Sequence, residues 1–207
     1  MAGKYIIKKG GEGIYEEKKS RFIAQVYSVT SETEATAFIE AARKKYWDAR
    51  HNCYAFVIGN NGEVTRCSDD GEPSGTAGKP ILEVITGMEI YNCLVIVTRY
   101  FGGTLLGTGG LVRAYNKATK DALADSVIAQ IAQGEQFVIR TDYSFVGKIQ
   151  RIAEEINAEI INTEYAADVT FTVNIVKGSD IVKRVVEGTN GKATVEKNCD
   201  LEIEIAV

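Results

Sequence analysis

Four stretches of this sequence carry residue types whose spacing could do chemistry. Asp69, Asp70 and Glu72 place three carboxylates within four residues. Oxygen ligands so close together could hold a divalent cation, and such a cation could activate water against a phosphate-containing substrate. The regular ligand spacing of an EF-hand is absent. The competing reading is a solvated turn whose Asp side chains accept from backbone amides.

The stretch Ser74-Gly75-Thr76-Ala77-Gly78-Lys79 leads into a helix. Exposed amides at a helix start suit an anion. The phosphate-loop pattern fails at both ends, where Pro73 and Pro80 stand. A tight turn with a capped helix explains the same residues. Further on, Gly102, Gly103, Gly107, Gly109 and Gly110 crowd five glycines into nine positions. Arg99 precedes them, and Arg113 and Lys117 follow at i, i+4 on one helix face. Amides and cations together could hold a phosphate or a nucleic-acid backbone. The alternative is a helix crossing tightly over a sheet. Val112 stands where a dinucleotide fingerprint needs glycine. The fourth stretch is Arg50-His51-Asn52-Cys53, with the sole histidine. His51 and Cys53 would share one face of a strand. Side chains in line on one strand seldom reach attack geometry, so His51 is expected to hydrogen-bond a neighbouring loop.

The elements that must position these residues follow from periodicity. Residues 4–8, 12–18 and 21–29 have the pattern of short strands. Ser31-Glu32-Thr33-Glu34 opens a helix as a capping box, with Ala35, Phe38, Ile39, Ala42 and Tyr46 at helical spacing. Residues 53–58 form a strand, Asn61-Gly62 a hairpin signal, and residues 64–67 its partner. The run 93–98 is apolar throughout, as a strand covered on both faces would be. A helix with Leu111, Tyr115, Ala118 and Ala122 on one face follows the glycines. The remainder has the order strand-helix-strand-strand-helix-strand, the ferredoxin-like split βαβ arrangement. The expected division is residues 1–134 and 135–207, near Gly134.

Composition bounds the function classes. The 207 residues carry 24 Lys and Arg against 28 Asp and Glu, a net charge of −4. That argues against a generally basic nucleic-acid coat protein. The acidity sits in residues 135–207, with 8 basic against 13 acidic residues; residues 1–134 hold 16 against 15. Local basic patches on the first part are compatible with this balance. Cys53, Cys67, Cys93 and Cys199 form no CxxC pair, so no structural zinc site is expected. Free thiols, no secretory segment and no apolar run of about 20 residues give a cytoplasmic expectation with no membrane partner.

Three strings resemble the YigZ/IMPACT family. They are Arg50-His51-Asn52-Cys53-Tyr54-Ala55, Asp69 through Gly78, and Tyr100-Phe101-Gly102-Gly103 with Leu106 through Tyr115. They stand in the family's order and span most of residues 18–126. The resemblance implies an α+β fold in two domains. The first would be an IMPACT-type N-terminal domain, like the second domain of a small-subunit ribosomal protein and domain IV of elongation factor G. The second would be ferredoxin-like, similar to that factor's domain V. Eukaryotic relatives bind a protein that activates a starvation-sensing kinase and so regulate translation initiation. They carry a different extra domain. Many members have Lys where this chain has Leu105, which leaves Arg99, Arg113 and Lys117 as the cations near the glycines.

The expectation is a translation-linked regulatory protein that binds RNA, the ribosome or a translation-associated protein, with no catalytic residue assigned. A metal-assisted hydrolase using Asp69, Asp70 and Glu72 is the first alternative, and a protein-interaction adaptor the second. No cofactor is expected beyond that divalent metal. A homo-oligomer paired through the ferredoxin-like sheet is compatible with the sequence.

Overall fold

The structure is a computed structural model and describes residues 4–206. The chain divides into two compact units, one reaching Gln130 and one spanning Ile131–Ile205.

The first unit is built on an antiparallel sheet of five strands. They are β2 (Glu12–Glu17), β3 (Ser20–Ser28), β4 (His51–Ile58), β5 (Val64–Ser68) and β7 (Cys93–Tyr100), ordered β2-β3-β7-β4-β5. A parallel pair, β1 (Lys4–Lys9) with β6 (Ile90–Tyr91), accompanies it. Side chains alternate across a strand, and β7 is apolar on both sides because both sides are covered. Cys93, Val95 and Val97 pack with α2 (Gly78–Gly87) and α3 (Gly107–Ala124). Leu94 and Ile96 pack with α1 (Glu32–Lys45) on the opposite face. The same alternation puts His51 with Cys53 and Arg99 with Val97, on the α2/α3 side. His51 and Arg99 are register partners across β4 and β7. The sheet therefore sets the two side chains next to one another.

Helix α1 starts where the capping box places it. Ser31 Oγ accepts from the Glu34 amide at 3.2 Å, a cap that stabilises by about 1 kcal/mol. The Glu34 carboxylate reaches the Thr30 amide at 2.7 Å. Phe38, expected inward, is exposed and stacks on Tyr27 with ring centroids 4.4 Å apart.

The second unit has β8 (Val127–Thr141), α4 (Val146–Glu155), β9 (Glu159–Tyr165), β10 (Val169–Val176), α5 (Ile181–Gly188) and β11 (Thr194–Ala206). Its strands lie in the order β11-β8-β10-β9, with β10 antiparallel to both neighbours. That β-α-β-β-α-β succession matches the reading of the sequence. Phe171, Val173, Ile149, Ile181 and Val185 form its core. The units divide between Gln130 and Ile131, and Gly134 lies a few residues on, interior to β8. A Cβ at 134 would stand 2.8 Å from Ile203 Cγ2 and 3.1 Å from the Ile175 carbonyl oxygen. The glycine marks a close neighbour and not a linker. Among the described residues no helix is long and apolar enough to cross a membrane.

Candidate functional site

A cleft of about 360 Å³ opens on the α2/α3 side of the first sheet. Strand ends supply Arg50, His51 and Arg99 to it, and Glu72 and Pro73 come from the loop before α2. Phe101, Leu105 and Leu106 from the β7–α3 connection, with Gly107, Thr108 and Leu111 of α3, form the remaining wall.

At the floor lies a buried ion pair. Arg99 Nη1 donates to Glu72 Oε1 at 2.7 Å, and the two side chains are 6% and 3% exposed. Arg99 Nη2 reaches Ser20 Oγ at 3.4 Å, while Arg99 Nε has no acceptor. The guanidinium carbon sits 5.4 Å and 5.5 Å from the ring centroids of Phe22 and Phe101, within cation–π range. Tyr115 of α3 donates its hydroxyl to the same Glu72 Oε1 at 2.8 Å. Burial pushes the Tyr115 phenol up, and the neighbouring Glu72 carboxylate adds to it, so the hydroxyl stays protonated.

The acidic loop is fully engaged, and its three carboxylates diverge. Asp69 accepts from the amides of Gly75, Ala77 and Gly78 at 2.8, 3.0 and 2.8 Å. Burial pushes its carboxyl up, but the three amides outweigh this and hold it below the ordinary value. Asp70 takes the Asn52 amide at 2.7 Å and Arg43 at 2.8 Å. Glu72 belongs to Arg99 and Tyr115. Among the described residues no group of three His, Cys, Asp or Glu side chains could hold a metal ion. The structure does not bring Asp69, Asp70 and Glu72 together: the three carboxylates face different partners.

Ser74, Gly75, Thr76 and Lys79, where an anion seat is expected, lie in the same loop and the first turn of α2. The Gly75 amide is taken by Asp69 and the Thr76 amide donates to the Pro73 carbonyl at 3.1 Å, while Thr76 is buried with its hydroxyl on the same carbonyl at 2.6 Å. Lys79 faces outward near Glu83 at 3.9 Å. The long glycine loop is shorter than the sequence implied. Helix α3 already begins at Gly107, so Gly109 and Gly110 are helical. Gly102 serves close approach: a Cβ there would fall 2.0 Å from the Lys19 carbonyl carbon. Gly103 is exposed, as is Arg113, and Lys117 pairs with Asp121. Of the expected binding residues, the structure brings Arg50, His51, Arg99 and Gly107 to one cleft.

His51 and Cys53 are not a dyad. His51 Nδ1 lies 2.9 Å from the Asp70 carbonyl oxygen, which assigns its proton to Nδ1. Cys53 Sγ lies 3.0 Å from the Asp69 carbonyl oxygen and 3.3 Å from the Tyr115 hydroxyl. Burial pushes that thiol far up, and the carboxylates of Glu72, Asp70 and Asp69 add to the effect. A neutral thiol is a poor nucleophile.

Sequence reasoning passed over Tyr115 as a site residue, because its apolar helix-face position says nothing of a hydroxyl partner 43 residues away. It also passed over the hairpin tip Lys18-Lys19. Both residues adopt positive φ, 46° and 66°, in a two-residue turn that favours Asn-Gly. That tip lies against Gly102, one residue from the cleft wall. Two lysines where Asn-Gly would be relaxed were the available signal.

The Impact N-terminal domain family matches residues 18–123, which contain every residue lining the cleft. The chain belongs to the IMPACT family. A second family, a domain of unknown function (DUF1949), matches residues 139–192 in the second unit. IMPACT family member YvyE of Bacillus subtilis is 36% identical over 205 residues, 98% of this chain and 94% of that one. YigZ of Escherichia coli is 37% identical over 162 residues, 77% and 79% of the two chains. The IMPACT homolog of Dictyostelium discoideum is 38% identical over 111 residues, 52% of this chain and 31% of its own. A crystal structure of a hypothetical protein superposes with a TM-score of 0.60 at 32% identity, covering 94% and 97% of the two chains. The two-domain translational regulator Yih1 overlaps with a TM-score of 0.39 at 26% identity over 57% and 48%, too little to argue from.

Proposed function

We propose that this IMPACT-family chain is a translation-linked regulatory protein that binds RNA at the ribosome through the cleft of its first unit. The observation that carries the reading is the cleft itself. It sets Arg50 and the start of α3 beside the half-exposed ring of Phe101. Cations, helix-start amides and an aromatic face are what single-stranded RNA requires. Lys18, Lys19 and Arg113 are further exposed cations of the same unit. Trp47, 83% exposed, follows Lys44 and Lys45 and precedes Arg50. The first unit is near neutral overall, so the attraction is local and not a general basic coat.

Two further features support the translation setting. One is family membership, whose resemblance implies regulators of translation. The other is the β-α-β-β-α-β order of the second unit, in keeping with the likeness to domain V of elongation factor G; the first unit is read as the domain IV-like partner. Asp69, Asp70 and Glu72 face different partners, which lends the hydrolase alternative no support.

Sedimentation with ribosomes at low salt, with and without ribonuclease, tests the reading. The double swap Arg50→Glu, Arg113→Glu should reduce binding at least about tenfold and flatten its salt dependence. Binding at the wild-type level in the double swap would overturn the RNA reading and leave a protein-docking adaptor.

A further inference from the structure

We propose that the cleft seats a single nucleotide, its base between the apolar walls and its phosphate at the first turn of α3. The inference rests on the RNA reading of the same cleft and names the chemical unit that enters it.

The floor presents a buried ion pair of donor beside acceptor. Arg99 is 5% exposed overall, and four of its contacts are fixed: Glu72, Ser20 and the rings of Phe22 and Phe101. Its Nε has no acceptor but is itself closed to solvent, so a ligand in the cleft meets only the edge of the guanidinium that lines it. Glu72, bonded through Oε1, lies beside it on the cleft wall. A ligand at this floor must offer an acceptor to Arg99 and tolerate or donate to a carboxylate. A bare phosphate would press its charge against Glu72. An aliphatic chain would offer neither charged group a polar contact. A nucleobase edge carries donor and acceptor side by side and answers both groups.

The walls and the mouth agree with this. Pro73, Leu105, Leu106 and Leu111 give apolar sides, and the Phe101 ring gives a stacking face. The volume of about 360 Å³ falls among small-molecule sites. At the mouth, Gly107 and Thr108 begin an 18-residue helix with no side-chain cap and no acidic residue in its first turn. Those amides and the helix dipole favour a phosphate, and Arg50 stands on the same cleft.

The test titrates AMP, GMP, CMP and UMP, their nucleosides and inorganic phosphate into the intact chain, read by calorimetry and by NMR shifts of the cleft residues. At least one nucleotide should bind, with its nucleoside and inorganic phosphate each weaker by about tenfold or more. Leu106→Asp places a carboxylate over the first-turn amides. It should erase the advantage of nucleotide over nucleoside, with circular dichroism reporting the fold of the variant. Phe101→Ala should weaken nucleotide and nucleoside alike. A single-stranded RNA of about 10 nucleotides distinguishes the sources: competition with the nucleotide assigns the seat to a strand, and its failure to bind assigns it to a free nucleotide. The proposal is overturned if none of the four nucleotides shifts the cleft residues, or if binding survives both substitutions. Ribosome association without nucleotide binding removes the seat and keeps the translation reading. Nucleotide binding without ribosome association does the reverse.

Discussion

Replacing Glu72 by Gln removes one charge from a buried pair and leaves the other in place. The pair is 2.7 Å long with side chains 6% and 3% exposed. Water cannot compensate an Arg99 stripped of its counter-ion, and breaking such a pair from one side costs about 3–5 kcal/mol. For a chain of this size that corresponds to a fall of about 10 °C in melting temperature. Glu83→Gln is the control: its partner Lys79 is 3.9 Å away and both side chains are exposed, so the change should stay within about 0.5 kcal/mol. The double change Glu72→Leu, Arg99→Met should cost less than Glu72→Gln alone, because it leaves no orphaned charge. Scanning calorimetry of the first unit's transition, with chemical denaturation followed by circular dichroism, gives the numbers. Glu72→Gln within about 1 kcal/mol of wild type, or no gentler outcome for the double change, would refute the reasoning.

Three more outcomes follow from the structure. Asp69 titrates below its ordinary value when folded, so its contribution is complete above the unfolded value of about 4 and is lost as pH falls through the folded one; Asp69→Asn should flatten the acid limb of the stability curve and cost about 1 kcal/mol at neutral pH. Lys18→Asn with Lys19→Gly relieves two positive-φ side chains and should stabilise by about 1–2 kcal/mol while weakening RNA sedimentation, a trade expected of strain kept at a binding site. In native protein a thiol reagent should label the exposed Cys67 and Cys199 quickly and spare Cys53 and Cys93, which are buried and pushed up in pKa by that burial; rapid labelling of Cys53 would contradict the closed floor of the cleft.

Local pattern carried much of the architecture. The unbroken apolar run of β7 implied a strand covered on both faces, and α1 and α3 cover opposite sides. The capping box located the start of α1 because its bonds join residues three or four apart. The elements of the second unit were legible for the same reason. Gly134 lies within β8, and nothing in its neighbouring residues announces Ile203 against it. The site was less legible. Whether amides at 75, 77 and 78 are open or closed depends on Asp69, which only the folded loop brings to them. Arg99 has Glu72 at 27 residues' separation and Ser20 at 79. Spacing rules reach one helical turn or one strand neighbour and are silent about such pairs. His51 was the exception, because a strand position beside a loop limited what its ring could meet.

The central claim is that the first unit meets RNA at the ribosome through the cleft. Density-gradient fractionation of ribosomes incubated with wild-type chain and with Leu106→Asp tests it most directly. The account predicts wild-type protein in the ribosomal fractions, released by ribonuclease and by raised salt, and the variant left at the top of the gradient with its fold intact. Equal co-migration of the two proteins, or wild-type protein that never enters the ribosomal fractions, would contradict it.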